Sequence, residues 1–240
     1  MYALRAQAGM DGVSFGSSLL QEAGAALRAA GAQRVKIALN DVPPPANDPY
    51  AQMKQNAPDA IVSAWWNSAT LHAPLTEIMA RFAGELAAYA VMESTILPYL
   101  AETGDARSYG ATQICLFAAQ KQLSREDFLD IWLNDHTNVA VETQTTHFYS
   151  QNVISRPLTR DAPPFDAIVE ESFPLEALTD RDLYFAAAGD PKKAKRNSSI
   201  MDQSCGRFID FSTITLMMAG EYRLGGWKDF PYGWNEHGRV

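Results

Sequence analysis

One short segment occurs twice in this chain. Asp59-Ala60-Ile61-Val62 returns as Asp166-Ala167-Ile168-Val169, and the patterning around each copy corresponds, so the chain reads as two successive units of one design. In the first unit, residues 1–8 alternate as a strand. Residues 14–30 carry Leu19, Leu20, Ala23, Ala26 and Leu27 at a helical period, with Gly31 as a stop. Val35, Ile37 and Leu39 alternate in a second strand, a proline-rich loop follows, and 60–66 is a strand of β-formers. Leu75, Ile78, Met79, Phe82 and Leu86 mark a helix, after which 87–97 returns as a strand. The order is β-α-β-β-α-β.

The second unit repeats that order, with strands expected at 112–119, 146–154, 165–172 and 207–218. Its helices are expected at 124 onward, at 175–188, and in a further stretch reaching 204. Ser124 stands where an N-cap would, with Asp127 in the capping-box position. Each βαββαβ unit makes a four-stranded antiparallel sheet with helices on one face and an apolar face left bare. The expected fold is therefore α+β: tandem ferredoxin-like βαββαβ halves forming a pseudo-dimeric α+β barrel. The halves are 1–105 and 106–223, stacked face to face around an enclosed cavity, with an aromatic tail over 224–240. The barrel interior is the expected ligand site.

Composition narrows the function. A formal net charge of −8 argues against nucleic acid and anionic membranes as partners. Cys115 and Cys205 have neither metal nor redox spacing. No apolar run reaches the length of a membrane span, so the expected location is the cytoplasm. No phosphate-cradling glycine loop, GxSxG elbow, HExxH or CxxC occurs. The expectation is accordingly no metal and no cofactor.

The second half resembles the EthD family. Leu123-Ser124-Arg125-Glu126-Asp127-Phe128 is similar to that family's helix entry, followed by Trp132 and His136. Tyr149-Ser150-Gln151-Asn152 is similar to its Tyr-x-Gln-Asn element, Asp166-Ala167-Ile168-Val169-Glu170 to its third strand, and Asp202 to a late aspartate. The first half lacks the Trp/His pair and carries Trp65-Trp66-Asn67 instead. The resemblance implies an α+β barrel whose relatives include monooxygenases without cofactors, polyketide cyclases, dehydratases, lactone isomerases and haem enzymes. The fold alone does not choose among these reactions.

Candidate chemistry rests on a few side chains. On the strand at 146–154, His147, Tyr149 and Gln151 share one face and Phe148, Ser150 and Asn152 the other. The polar stripe is placed inside the barrel, because burying it under helices would leave hydrogen bonds unmet. His147 and Tyr149 are the expected acid/base pair and His136 the next candidate. Gln151, Trp65, Trp66, Trp132, Glu170 and Asp210 are expected to contact substrate. Should Phe148 and Asn152 face the cavity instead, His136, Glu170 and Asp210 take over. The leading expectation is a cofactor-independent lyase, acting by dehydration or decarboxylation on a small aromatic or polyketide-like compound. A cofactor-free monooxygenase and a non-catalytic small-molecule-binding protein are the alternatives, and a homodimer is left open.

Overall fold

The computed structural model describes residues 1–43, 51–98 and 107–224. Part of the expected proline loop (44–50), part of the linker (99–106) and the aromatic tail from 225 lie outside the described residues. The eight strands are β1 (Tyr2–Arg5), β2 (Arg34–Leu39), β3 (Ala60–Trp65), β4 (Glu85–Leu97), β5 (Ala111–Phe117), β6 (Phe148–Pro157), β7 (Ala167–Phe173) and β8 (Thr215–Leu224). They form one closed antiparallel barrel in the order β1-β3-β2-β8-β5-β7-β6-β4.

This topology corrects the expectation of tandem ferredoxin-like halves forming a pseudo-dimeric α+β barrel. Among the described residues the strands form one closed ring rather than two sheets stacked across a space. Hydrogen bonding runs around all eight strands, β2 pairing with β8 and β4 with β6 to close the ring, and the helices lie outside it. A sheet edge exposes a row of unpaired N–H and C=O groups, and closure satisfies them. An eight-stranded barrel is also just wide enough for side chains to fill its interior. Met1, Ile61, Tyr89, Ile114, Leu116, Ile154, Ile168 and Met217 occupy much of that space, so it is mostly packed core.

Outside the barrel lie α1 (Gly12–Ser18), α2 (Gly24–Ala29), α3 (Ala51–Lys54), α4 (Ala73–Ala80), α5 (Arg125–Asp130), α6 (Thr137–Thr143), α7 (Arg181–Tyr184) and α8 (Pro191–Cys205). A π-helical segment, Leu19–Ala23, joins α1 to α2, and another, Ile131–His136, joins α5 to α6. Ser124 caps α5 as expected, accepting from Asp127 N at 3.0 Å. The expected helix over 175–188 is broken, because Asp180 accepts from the backbone N–H groups of Asp182 and Leu183 and starts α7 afresh. The last strand begins at Thr215 rather than 207. Asp210 accepts from Ser212 N and Oγ, at 3.0 and 2.6 Å, and folds the chain into a turn first.

On β2 and β7 both faces are buried. On β7 every residue is buried, with Ile168 in the interior cluster and Val169 in the cluster under the second-half helices. The one-residue alternation of the pleat therefore sends Glu170 inward and Glu171 outward to the helix layer.

Candidate functional site

The alternation on β6 overturns the expected site. Ile154 belongs to the interior cluster, whereas Tyr149 and Val153 belong to the cluster under the helices. Asn152 donates to Glu170 Oε2 at 3.2 Å inside the barrel, and Lys36 Nζ lies 5.2 Å from the centre of the Phe148 ring. Tyr149 and Gln151 thus face α6, not the interior. The predicted cost of burying them is avoided because they satisfy one another: the Gln151 amide reaches Tyr149 Oη and Thr137 Oγ1, each at 2.9 Å. Burial raises the Tyr149 phenol above its ordinary range. His147 sits just before β6, half-buried, its ring 5.6 Å from that of Tyr109. Burial lowers its proton affinity, partly offset by a hydrogen bond with Tyr109.

The remaining expected residues divide into three places. Asp210 belongs to the turn before β8, where its Ser212 contacts hold it below the usual carboxylate range. Trp65 and Trp66 line a cavity at the edge of the first half, together with Asn152. Trp132 and His136, expected on one face of a helix, do meet, in a second cavity of about 120 Å³ between the sheet and the second-half helices. The π-helical segment Ile131–His136 carries both, and such wide turns are frequent at functional sites.

That second cavity combines an apolar wall with a short run of polar groups. Trp132, Phe117, Phe185 and Phe208 line it, the Phe117 ring 5.8 Å from that of Trp132, and Phe211, 48% exposed, stands at the rim. Gln113 of β5 and Glu171 of β7 are cross-strand partners, which aims both into the same space. Gln144 Nε2 donates to Tyr184 Oη (3.0 Å), Tyr184 Oη to Gln113 Oε1 (3.2 Å), and Gln113 Nε2 to Glu171 Oε2 (3.4 Å). Burial drives the Glu171 carboxyl up to about 7, against the opposing effect of the Gln113 bond. Two polar atoms on the wall, Trp132 Nε1 and Gln144 Oε1, are buried with no partner in the protein. One is a donor and the other an acceptor.

His136 borders the same space. Its Nδ1 lies 2.9 Å from Ser204 Oγ and its ring 4.8 Å from that of Phe208. Burial, then the nearby Arg207, lowers it to about 4, so it is neutral at pH 7. Cys115 and Cys205 are free thiols at this cavity. Burial raises both, Cys205 to about 12, so neither is a ready nucleophile. Among the described residues no group of three or more His, Cys, Asp or Glu side chains is gathered as for a metal ion. No described helix is long and apolar enough to cross a membrane.

Fold and cavity together define a class first: a closed antiparallel barrel with a ligand-sized space beneath the helices of one half. The EthD domain family model then matches residues 120–212, upholding the resemblance of the second half to that family. That match is a resemblance of the second half alone, and it shows no lyase activity. Most of the second cavity's lining, Trp132, His136, Gln144, Glu171 and Tyr184 included, falls inside the matched segment. A solved structure described as an anthrone oxidase-like protein aligns with a TM-score of 0.50 and 12% identity, over 93% of this chain and 92% of that one. At that identity the likeness is one of fold. The curated proteins contain no match.

Reading the sequence missed Glu171, Gln113, Gln144 and Tyr184. A signal for Glu171 was present: two adjacent glutamates, Glu170 and Glu171, in a strand otherwise made of Ala, Ile, Val, Ser and Phe. Adjacent residues on a strand point to opposite faces, so a strand covered on both sides must bury both carboxyls.

Proposed function

We propose that the second-half cavity binds a small, single-ring aromatic compound and that Glu171 transfers its proton. The observation that carries this reading is a carboxyl raised to about 7 by burial in an aromatic-walled space. A general base works best when its proton affinity matches the operating pH, and perturbed groups of this kind in clefts mark functional sites. An engineered apolar cavity of roughly 150 Å³ admits benzene, and a space of about 120 Å³ is of the same order, which limits the ligand to a single ring. The ring packs against Trp132 and Phe208, an acceptor on it meets Trp132 Nε1–H, and a donor meets Gln144 Oε1.

The reaction we favour is a lyase step. The Glu171 carboxylate takes a proton from carbon, and the released electron pair forms the new double bond. The neighbouring C–O bond breaks with its pair on oxygen, and the protonated Glu171 returns the proton to that oxygen, so water leaves. Gln113, Tyr184 and Gln144 hold the carboxylate in place, and neutral His136 supplies a hydrogen bond rather than a charge.

The test is a screen of phenols and hydroxylated aromatic acids with product masses and an oxygen electrode run together. Loss of water or carbon dioxide without oxygen uptake, abolished in Glu171→Gln, supports the lyase. Oxygen consumption selects the cofactor-free monooxygenase. Saturable binding with no product selects a binding protein.

A further inference from the structure

The first cavity, about 380 Å³, has a different chemistry from the second. Past Tyr2 the edges of β3 and β4 face one another without a described strand between them, and the cavity enters the barrel wall there. Its walls include Arg34, Ser63, Trp65, Tyr89, Glu93 and Asn152. Arg34 stacks over the Trp65 ring at 4.3 Å, and Trp65 Nε1 donates to Glu93 Oε2 at 2.8 Å. Deeper in, Lys36 Nζ lies 2.9 Å from both oxygens of Glu170 and 3.7 Å from Glu221, which also takes Arg223 Nε at 2.8 Å.

The charges in this part of the barrel already balance. Arg34, Lys36 and Arg223 stand against Glu93, Glu170 and Glu221. The Met1 amine donates to Tyr89 O at 2.8 Å, and burial lowers it to about 5, so it adds no charge at pH 7. A charged ligand would bring an uncompensated charge among these groups and lose hydration that nothing here replaces. An uncharged one would not. Hydrogen-bonding capacity is nevertheless on offer: Ser63 is buried, lines the cavity, and its hydroxyl has no partner in the protein. The Trp65 indole, pinned by Glu93, adds a rigid apolar face beside these polar groups.

From the balanced charges, the unpartnered Ser63 hydroxyl and the indole wall, we infer a second ligand site here for an uncharged polyhydroxylated molecule of monosaccharide size. The hydroxyls engage Ser63, Glu93 and Asn152, and the C–H face of the ring lies on an indole. This site is separate from the Glu171 cavity and does not depend on the reaction proposed there.

The experiment follows the indole N–H resonance of Trp65, assigned with Trp65→Phe, in the full chain. Glucose, galactose and xylose are titrated in, with glucosamine and glucuronate as charged counterparts. The inference expects a saturable shift with at least one neutral sugar and weaker or no binding of both charged ones. It also expects roughly 3- to 10-fold weaker binding in Ser63→Ala, the effect of one hydrogen bond. That variant removes a buried unpartnered hydroxyl and should fold normally. Glu171→Gln should leave sugar binding unchanged. Absence of a saturable shift with all three sugars, charged sugars binding as tightly as neutral ones, or indifference to Ser63→Ala overturns the inference.

Discussion

At the scale of single residues, the chemistry of the second-half cavity turns on where a carboxyl is buried. Glu171 has a folded-state proton affinity near 7, above the ordinary carboxylate value of 4.5. Its folded form therefore holds a proton that the unfolded chain has released between those two pH values. Stability is full below about 4.5, falls as pH rises towards 7, and stays lowered above it. Glu171→Gln should accordingly be more stable than wild type at pH 8, by roughly 3 kcal/mol at most, and close to it at pH 4. Urea melts at the two pH values check this. The same variant should lose about 10²-fold or more in turnover, and wild-type activity should climb as pH passes through about 7. Tyr149→Phe has a different expected outcome. It deletes the hydroxyl that Gln151 contacts while Thr137 remains available, so it should cost about 1 kcal/mol in a denaturant melt and leave the Glu171 cavity intact. The polarity of His147, Tyr149 and Gln151 was legible in the sequence, but their direction was not. The rule that polar side chains avoid the space under helices fails when two of them pair. Trp132 and His136 were placed together correctly because a helical spacing fixes a shared face. Glu171 was passed over for Glu170 because a strand buried on both sides has no polar face to read.

At the scale of elements, three strands are tied through one lysine. Lys36 on β2 reaches Glu170 on β7 and Glu221 on β8. Burial alone would weaken its hold on a proton, but the two carboxylates outweigh burial and raise it. Burial lifts Glu170 despite Lys36, whereas in Glu221 burial is overcome by Lys36 and Arg223. Lys36→Met should destabilise the barrel by about 3–5 kcal/mol, the scale of a broken buried pair. Adding Glu170→Leu should recover much of that loss, since Glu221 keeps Arg223. A double-mutant cycle in urea measures the coupling. Gly110 opens β5 at φ 82°, and a Cβ there would run into Phe173 O. Gly110→Ala should therefore lower Tm strongly, at a site where the turn requires a left-handed residue. The strand and helix order could be read from periodicity, and so could the cap at Ser124. The break at Asp180 and the turn at Asp210 could not, because each depends on a side chain capturing backbone N–H groups ahead of it.

At the scale of the whole molecule, the decisive step is closure. Pattern and repeat gave eight strands, but not that the edges β2, β8, β4 and β6 would join, since pairing between distant strands leaves no periodic trace in either. A closed ring shared by both halves should unfold in one cooperative transition, with fluorescence and circular dichroism coinciding in urea. Two separated transitions would speak for independent halves. Closure also fills the interior and leaves the ligand-sized space of the second half beneath its helices. The most direct test of that assignment is a ¹³C carboxyl titration of the glutamates in wild type, Glu170→Gln and Glu171→Gln, with and without phenol. A midpoint near 7 is expected that vanishes only in Glu171→Gln and moves when phenol binds. If the resonance missing from Glu171→Gln titrates in the ordinary range near 4.3, or does not respond to phenol, the assignment of this cavity as the active site is wrong.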